Sequence, residues 1–339
     1  MKLKILIISS TTFFGGAEQF IVSTLTKLES DYELYFFVAD KKTATQLGNR
    51  NIYVPTDISL LCQIKELYKF IKKIKPDLLF FNGSNISYFL PLFKKYKTIY
   101  YRHTTNLYAP KRRRWLFKII MNILYRNASL TIHVSQYSLS EQKTGKGICI
   151  HNGINALSDI RHTESSCAPL KVLFCSRLEK PKGIREIVTA FKSINPEIAQ
   201  LTIIGNGSEK DWVIENISDS IKYLGFQKDV TNFYKDADVM ILMSEFENFP
   251  ISIIEALNYG LPVITTGAGG ISEMITDEYN GLIIKSNPEE IIQAVERLNK
   301  NRSMLKSMGE NSRKFCIENL DINEKIKEIR KAINHTLSK

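Results

Sequence analysis

Residues 239–265 read VMILMSEFENFPISIIEALNYGLPVIT, and the order of residue types in this stretch decides the fold. Val239–Met243 is an unbroken apolar run of strand length, as a strand buried on both faces requires. A polar, acidic loop follows. Pro250 suits the first turn of a helix, where its missing N–H leaves no bond unmade. Gly260, Leu261 and Pro262 then lead into a second apolar run, Val263–Thr265. Strand, helix and strand at this spacing imply a right-handed crossover and a parallel sheet. Two carboxylates, Glu247 and Glu255, are separated by seven residues. Glu247 falls in the loop beside the positive end of the helix, and Glu255 about one and a half turns past Pro250. Loop N–H groups there can bind an anion or sugar hydroxyls while Glu255 grips another part of the same ligand. The same two residues also read as a capping acid and a solvated helical Glu.

Working outward, strand-length apolar runs recur at Lys4–Ile8, Glu33–Val38, Asp77–Phe81, Thr98–Tyr101, Leu130–Val134 and Gly147–Ile150. A second series comprises Val172–Cys175, Leu201–Ile204, Lys222–Leu224, Val239–Met243, Val263–Thr265 and Leu282–Ile284. Helical periods lie between them, as in Leu61, Ile64, Leu67, Ile71 and Ile74 before the stop at Pro76. Residues 153–169 lose this pattern and read as a linker, and the tail from Pro288 onward reads as two or three helices. The expected architecture is α/β, two doubly wound Rossmann-like domains. Residues 1–152 form the first, 170–318 the second, and 319–339 a terminal helix that crosses back to the first. Ligands are expected at the carboxyl ends of the strands, facing the cleft.

The chain has 339 residues, 44% hydrophobic and 24% charged, which excludes a disordered or fibrous protein. Five scattered cysteines argue against a disulfide framework and a structural zinc site. The amino-terminal MKLKILIISS reads as a buried strand rather than a signal peptide, and no run is long enough to span a membrane, so a cytoplasmic chain is expected. Charge is uneven. Residues 1–165 hold 24 Lys and Arg against 11 Asp and Glu, a net +13, whereas the rest hold 22 against 24, a net −2.

Taken together, these motifs resemble the retaining glycosyltransferases of family 4, which have the GT-B fold. The hallmark of that family is a Glu-x7-Glu element, here Ser244-Glu245-Phe246-Glu247-Asn248-Phe249-Pro250 through Glu255-Ala256. Gly260-Leu261-Pro262, Gly269-Gly270 with Glu273, and Asn280-Gly281 follow in the same order. Upstream, Ser176-Arg177-Leu178 and Lys182-Gly183 are similar to the basic pair that holds the donor diphosphate. Gly205-Asn206-Gly207 is similar to the glycine turn and Leu224-Gly225-Phe226 to the segment near the nucleotide base. Gly15-Gly16-Ala17-Glu18 is similar to the loop beneath the donor phosphates, and His151-Asn152-Gly153-Ile154 to the exit into the linker.

The resemblance implies transfer of a sugar from a nucleotide-sugar donor to a saccharide or lipid-linked acceptor, with retention, in surface polysaccharide or lipopolysaccharide synthesis. It assigns Arg177 and Lys182 to the leaving phosphate, Glu247 to sugar hydroxyls and Glu255 to the ribose. His103 is placed near the reacting sugar, and Gly15, Gly16, Gly205, Phe226, Asn248, Phe249 and Pro250 line the donor site. A guanidinium fork and an ammonium suit the charge that grows on the departing diphosphate. No metal or other cofactor is expected. Asp236-Ala237-Asp238 has the string of a manganese site but falls just before a strand, where Asp is a common terminator. His133 reads as structural.

Lys111, Arg112, Arg113 and Arg114 precede Trp115, Leu116, Phe117, Ile119, Ile120 and Ile123, the composition of an interfacial helix on an anionic leaflet. The expectation is peripheral attachment at the inner face of the cytoplasmic membrane; the same run also reads as core with solvated cations. Nucleic-acid binding lacks any supporting motif. A nicotinamide oxidoreductase lacks the GxGxxG fingerprint after the first strand. A non-catalytic nucleotide-sugar-binding partner of a glycosyltransferase complex is the remaining alternative, against which the full set Arg177, Lys182, Glu247 and Glu255 argues.

Overall fold

The computed structural model describes residues 2–83, 85–104, 111–158 and 169–338, apart from the side chain of Lys111. His162, Cys167 and most of the predicted linker lie outside the described residues. The chain forms two compact units, one running to Gly153 and resuming at Ile322, the other Ile154–Asp321.

The first unit holds a sheet of β1 (Lys4–Ser9), β2 (Glu33–Val38), β3 (Asn51–Tyr53), β4 (Leu78–Asn82), β5 (Thr98–Arg102), β6 (Leu130–His133) and β7 (Gly147–Cys149). Its order is β3-β2-β1-β4-β5-β6-β7 and every pairing is parallel. Helices α1 (Gly16–Ser23), α2 (Lys41–Leu47), α3 (Leu60–Ile74), α4 (Arg114–Asn127) and α5 (Gln136–Ser140) connect these strands. The second unit holds β8 (Leu170–Cys175), β9 (Ala199–Ile204), β10 (Ile221–Tyr223), β11 (Val239–Leu242), β12 (Val263–Thr265) and β13 (Gly281–Ile283). Their order is β10-β9-β8-β11-β12-β13, again all parallel. Helices α6 (Ile184–Ser193), α7 (Lys210–Glu215), α8 (Thr231–Asp236), α9 (Ile251–Asn258), α10 (Pro288–Lys300) and α11 (Arg302–Asn319) belong to it, and α12 (Ile322–Ser338) belongs to the first unit.

Burial on both faces explains the apolar runs. Ile5, Leu6, Ile7 and Ile8 of β1 and Val239 to Leu242 of β11 are all at most 1% exposed. One face of the first sheet packs Leu6, Ile8, Phe37, Leu79 and Phe81 against Leu67, Ile71 and Ile74 of α3 and Met121, Leu124 and Tyr125 of α4. Helix α3 ends with Lys75 in the left-handed region (φ 50°) before Pro76. Leu61, the first of its periodic apolar positions, departs from the expectation: it points outward, 71% exposed. The short edge strand β3, with no buried residue, is the one strand the apolar runs do not announce.

Each sheet reverses its strand order once, between β1 and β4 and between β8 and β11. In an open parallel sheet this reversal opens a crevice at the strand carboxyl ends, because the flanking loops turn to opposite faces.

Candidate active site

In the second unit the reversal sits between the loop after β8, Ser176–Gly183, and the loop after β11, Met243–Pro250. These loops carry Arg177, Lys182, Glu247, Asn248, Phe249 and Pro250, and they interlock. The N–H of Glu245 donates to the carbonyl of Pro181 at 2.9 Å. Gly183 has φ +69°, and a Cβ there would meet the Met243 carbonyl oxygen at 2.3 Å. Only glycine gives that turn and that approach at once. The carbonyl of Glu247 accepts from the N–H of Gly270 at 3.3 Å, so the loop after β12 closes the third side.

This packing brings Lys182 onto Glu247 across 65 residues of sequence as an ion pair, with side chains 12% and 5% exposed. Ser244 donates its hydroxyl to the same carboxylate oxygen at 3.1 Å. Arg177 is exposed, and among the described residues no carboxylate pairs with it. Helices α6 and α9 start at Gly183 and Pro250 without a side-chain cap, so first-turn N–H groups of both remain available to an anion. Pro250 stands one place earlier than expected, as the cap rather than the first helical residue. Asn248 and Phe249 are buried, at 2% and 5%, and anchor the loop, whereas Phe226 presents its ring at 65% exposure. Glu255 lies in α9, its Oε2 accepting from the Tyr234 hydroxyl at 3.0 Å. Gly205 lies beneath Arg177, in the turn that follows β9.

In the first unit, Gly15 caps α1 and Gly16 opens it. The N–H of Gly15 donates to Glu18 Oε2 at 3.2 Å, and Ser9 donates to Glu18 Oε1 at 3.0 Å. Burial raises the Glu18 carboxyl above the usual range, against these hydrogen bonds. His103 follows the last residue of β5. Asn82 donates its amide to the Ala17 carbonyl at 2.8 Å, which turns Oδ1 toward His103 Nε2, 2.9 Å away. Nε2 therefore carries the proton and Nδ1 is the acceptor nitrogen. Burial pushes the His103 ring down to about 3, so it is neutral at working pH. His133 is fully buried between Ser138 and Gln142, a structural residue as the sequence suggested.

Asp236 and Asp238 both turn to Lys171 at the start of β8, through its ammonium (2.6 Å) and its backbone N–H (2.8 Å). Their carboxylates are thus engaged at the opposite end of the sheet from Glu247. Ser244, Tyr234 and Asn82 were not foreseen as site residues. Only Ser244 carried a signal, its position three residues before Glu247.

Two families match the chain, "Glycosyltransferase Family 4" over residues 14–156 and "Glycosyl transferases group 1" over residues 160–315. An uncharacterised glycosyltransferase of Methanocaldococcus jannaschii is 29% identical over 199 residues, 56% of this chain and 55% of the relative. The Escherichia coli UDP-Gal:alpha-D-GlcNAc-diphosphoundecaprenol alpha-1,3-galactosyltransferase is 28% identical over 116 residues, 34% of this chain and 30% of the relative. The chain thus spans about half the length of the first of these curated relatives and under a third of the second. Among solved structures, Anabaena HepE in complex with UDP and glucose superposes with a TM-score of 0.83 at 19% identity, covering 98% of this chain and all of that one. The fold is GT-B, and the chain belongs to the group 1, family 4 glycosyltransferases.

Proposed function

We propose that the protein transfers a sugar from a nucleotide-sugar donor to a saccharide or lipid-linked acceptor of surface polysaccharide or lipopolysaccharide synthesis, with retention and without a metal. The observation that carries this reading is the buried Lys182–Glu247 pair at the strand reversal, with the exposed Arg177 on the same loop. A diphosphate leaving group gains negative charge as its bond to the anomeric carbon breaks. Lys182, Arg177 and the uncapped starts of α6 and α9 supply positive charge where a divalent ion would otherwise be needed. Glu247, already held by Lys182 and Ser244, is oriented to accept from sugar hydroxyls. The acceptor oxygen bonds to the anomeric carbon on the face the diphosphate leaves, and its proton passes to the departing phosphate. The resemblance assigns His103 to the sugar, and its ring, neutral with Nδ1 as acceptor, suits a hydroxyl donor. HepE was solved with UDP and glucose, and the E. coli relative is named for a lipid-linked acceptor; both support the substrate classes.

A thermal-shift screen of nucleotide sugars should single out one donor, since a ligand that binds only the folded state raises the melting point. Turnover of that donor should survive excess chelator. A strict requirement for added manganese would overturn the metal-free reading, and absence of any donor shift would overturn the donor reading.

Peripheral attachment to an anionic membrane belongs to the same proposal, and α4 supports it. Trp115, Leu116, Ile119 and Ile123 are 65%, 43%, 48% and 48% exposed. At about 100° per residue they share an arc roughly 100° wide, opposite the arc of Met121, Leu124 and Tyr125 that packs on the sheet. Residues 111–127 carry Lys111, Arg112, Arg113, Arg114, Lys118 and Arg126 and no carboxylate. The packed face matches the core reading of this run from sequence, and the exposed apolar face supports the interfacial one. No helix among the described residues is long and apolar enough to cross a membrane. Vesicles rich in phosphatidylglycerol should sediment the protein at low salt, and neutralising Lys111 to Arg114 should weaken this several-fold. Equal binding to neutral vesicles, or none at low salt, would refute the attachment.

A further inference from the structure

We infer that Tyr234 is a positioning residue for the donor, fixing the carboxylate of Glu255 before the nucleotide arrives; this rests on the reading of Glu255 as a ribose-binding group. Its hydroxyl lies 3.0 Å from Glu255 Oε2 and 3.3 Å from the Ser252 carbonyl. One hydroxyl proton serves one acceptor well, and the charged oxygen is both the closer and the stronger. The phenol is held in turn. Tyr234 is 1% exposed, and its ring lies flat on Tyr259, with centroids 5.4 Å apart and planes 2° from parallel.

Burial and the charge of Glu255 push the Tyr234 phenol far above its ordinary range, so it remains a donor at any working pH. Cys175, at the end of β8 in the same cluster, is pushed up to about 11 by burial and stays neutral. The carboxylate is therefore braced by a residue of another helix, α8, on the chain segment that follows the exposed Phe226. A glutamate side chain has large rotamer freedom to lose when it binds. Removing that freedom beforehand tightens binding without any contact between Tyr234 and the ligand.

The test uses full-length wild type, Tyr234→Phe, Glu255→Gln and the double variant, titrated with UDP, GDP, ADP and CMP. The tightest of these is carried forward. Tyr234→Phe should weaken its binding about 10-fold and raise donor KM similarly, with kcat within twofold of wild type. In the Glu255→Gln background the same change should have no further effect, because the two residues act through one bond. Wild-type affinity in Tyr234→Phe, a loss fully additive with Glu255→Gln, or a lowered urea midpoint with affinity unmoved would each overturn the inference. Wild-type nucleotide affinity in Glu255→Gln itself would instead overturn the ribose reading, and the inference with it.

Discussion

Alanine at position 182 is expected to lower kcat/KM for the donor about 100-fold, equivalent to about 2.7 kcal/mol of transition-state stabilisation. Two effects combine. The ammonium proposed to meet the leaving phosphate is removed, and the carboxylate of Glu247, 4% exposed, loses its only cationic partner among the described residues. Ser244 alone then satisfies it. An ionised group stranded in this way typically destabilises a protein by about 3–5 kcal/mol. Melting temperature and activity should therefore fall together in Lys182→Ala. Adding Glu247→Gln removes the stranded charge, so the double variant should recover most of the melting temperature and none of the activity. Wild-type turnover in Lys182→Ala would remove the donor-site assignment. Recovery of activity along with stability would show that Lys182 serves only to neutralise Glu247.

Most strands were legible because the physics that buries them is local. A parallel strand covered on both faces must be apolar at consecutive positions, so Glu33–Val38 and Val263–Thr265 fall where the runs place them. The exception, β3, pairs only with β2 at the sheet edge and has no fully buried residue, so its sequence carries no apolar run. Helical period was a weaker guide to orientation. Leu61 fits the period of α3 yet points to solvent, and α4 is apolar on two faces, of which one packs. Similarly, Ile322, Ile326, Ile329 and Ile333 announce a buried helical face. They do not say which core receives it, since any apolar surface would do.

The candidate site was legible by residue type and not by partnership. Glu247 and Glu255 stand out by their spacing, whereas Arg177 and Lys182 are singled out only by the family resemblance. That Lys182 meets Glu247 depends on β8 and β11 being neighbours, and strand order is a property of the whole sheet. Tyr234 carried no signal for the same reason: an aromatic in a six-residue helix reads as core until its hydroxyl is seen to face Glu255.

Gly205→Ala should destabilise the protein nearly as much as Lys182→Ala, by a route that touches no substrate. Gly205 has φ +145°, and a Cβ there would lie 1.9 Å from the carbonyl oxygen of Ser176. Neither atom can yield alone. The Gly205 N–H donates to the Gly225 carbonyl at 3.0 Å, its own carbonyl accepts from Tyr223 at 3.1 Å, and the Ser176 N–H is bound to Ile204 at 3.2 Å. Relief must come from the Ser176–Arg177 backbone or from the turn itself, and a strained backbone of this kind destabilises by about 1–3 kcal/mol even before the clash. A total near 3 kcal/mol corresponds to a fall in melting temperature of roughly 6–12 °C for a unit of this size. Donor turnover should drop at least tenfold at temperatures where the variant is still folded, because Arg177 moves with Ser176. Gly207→Ala is the control for position. It would place a Cβ 2.3 Å from the Leu178 carbonyl, one residue beyond Arg177, so it should lower the melting temperature comparably. A Gly205→Ala enzyme that melts and turns over like wild type would mean that the backbone crossing beneath Arg177 is looser than its geometry requires.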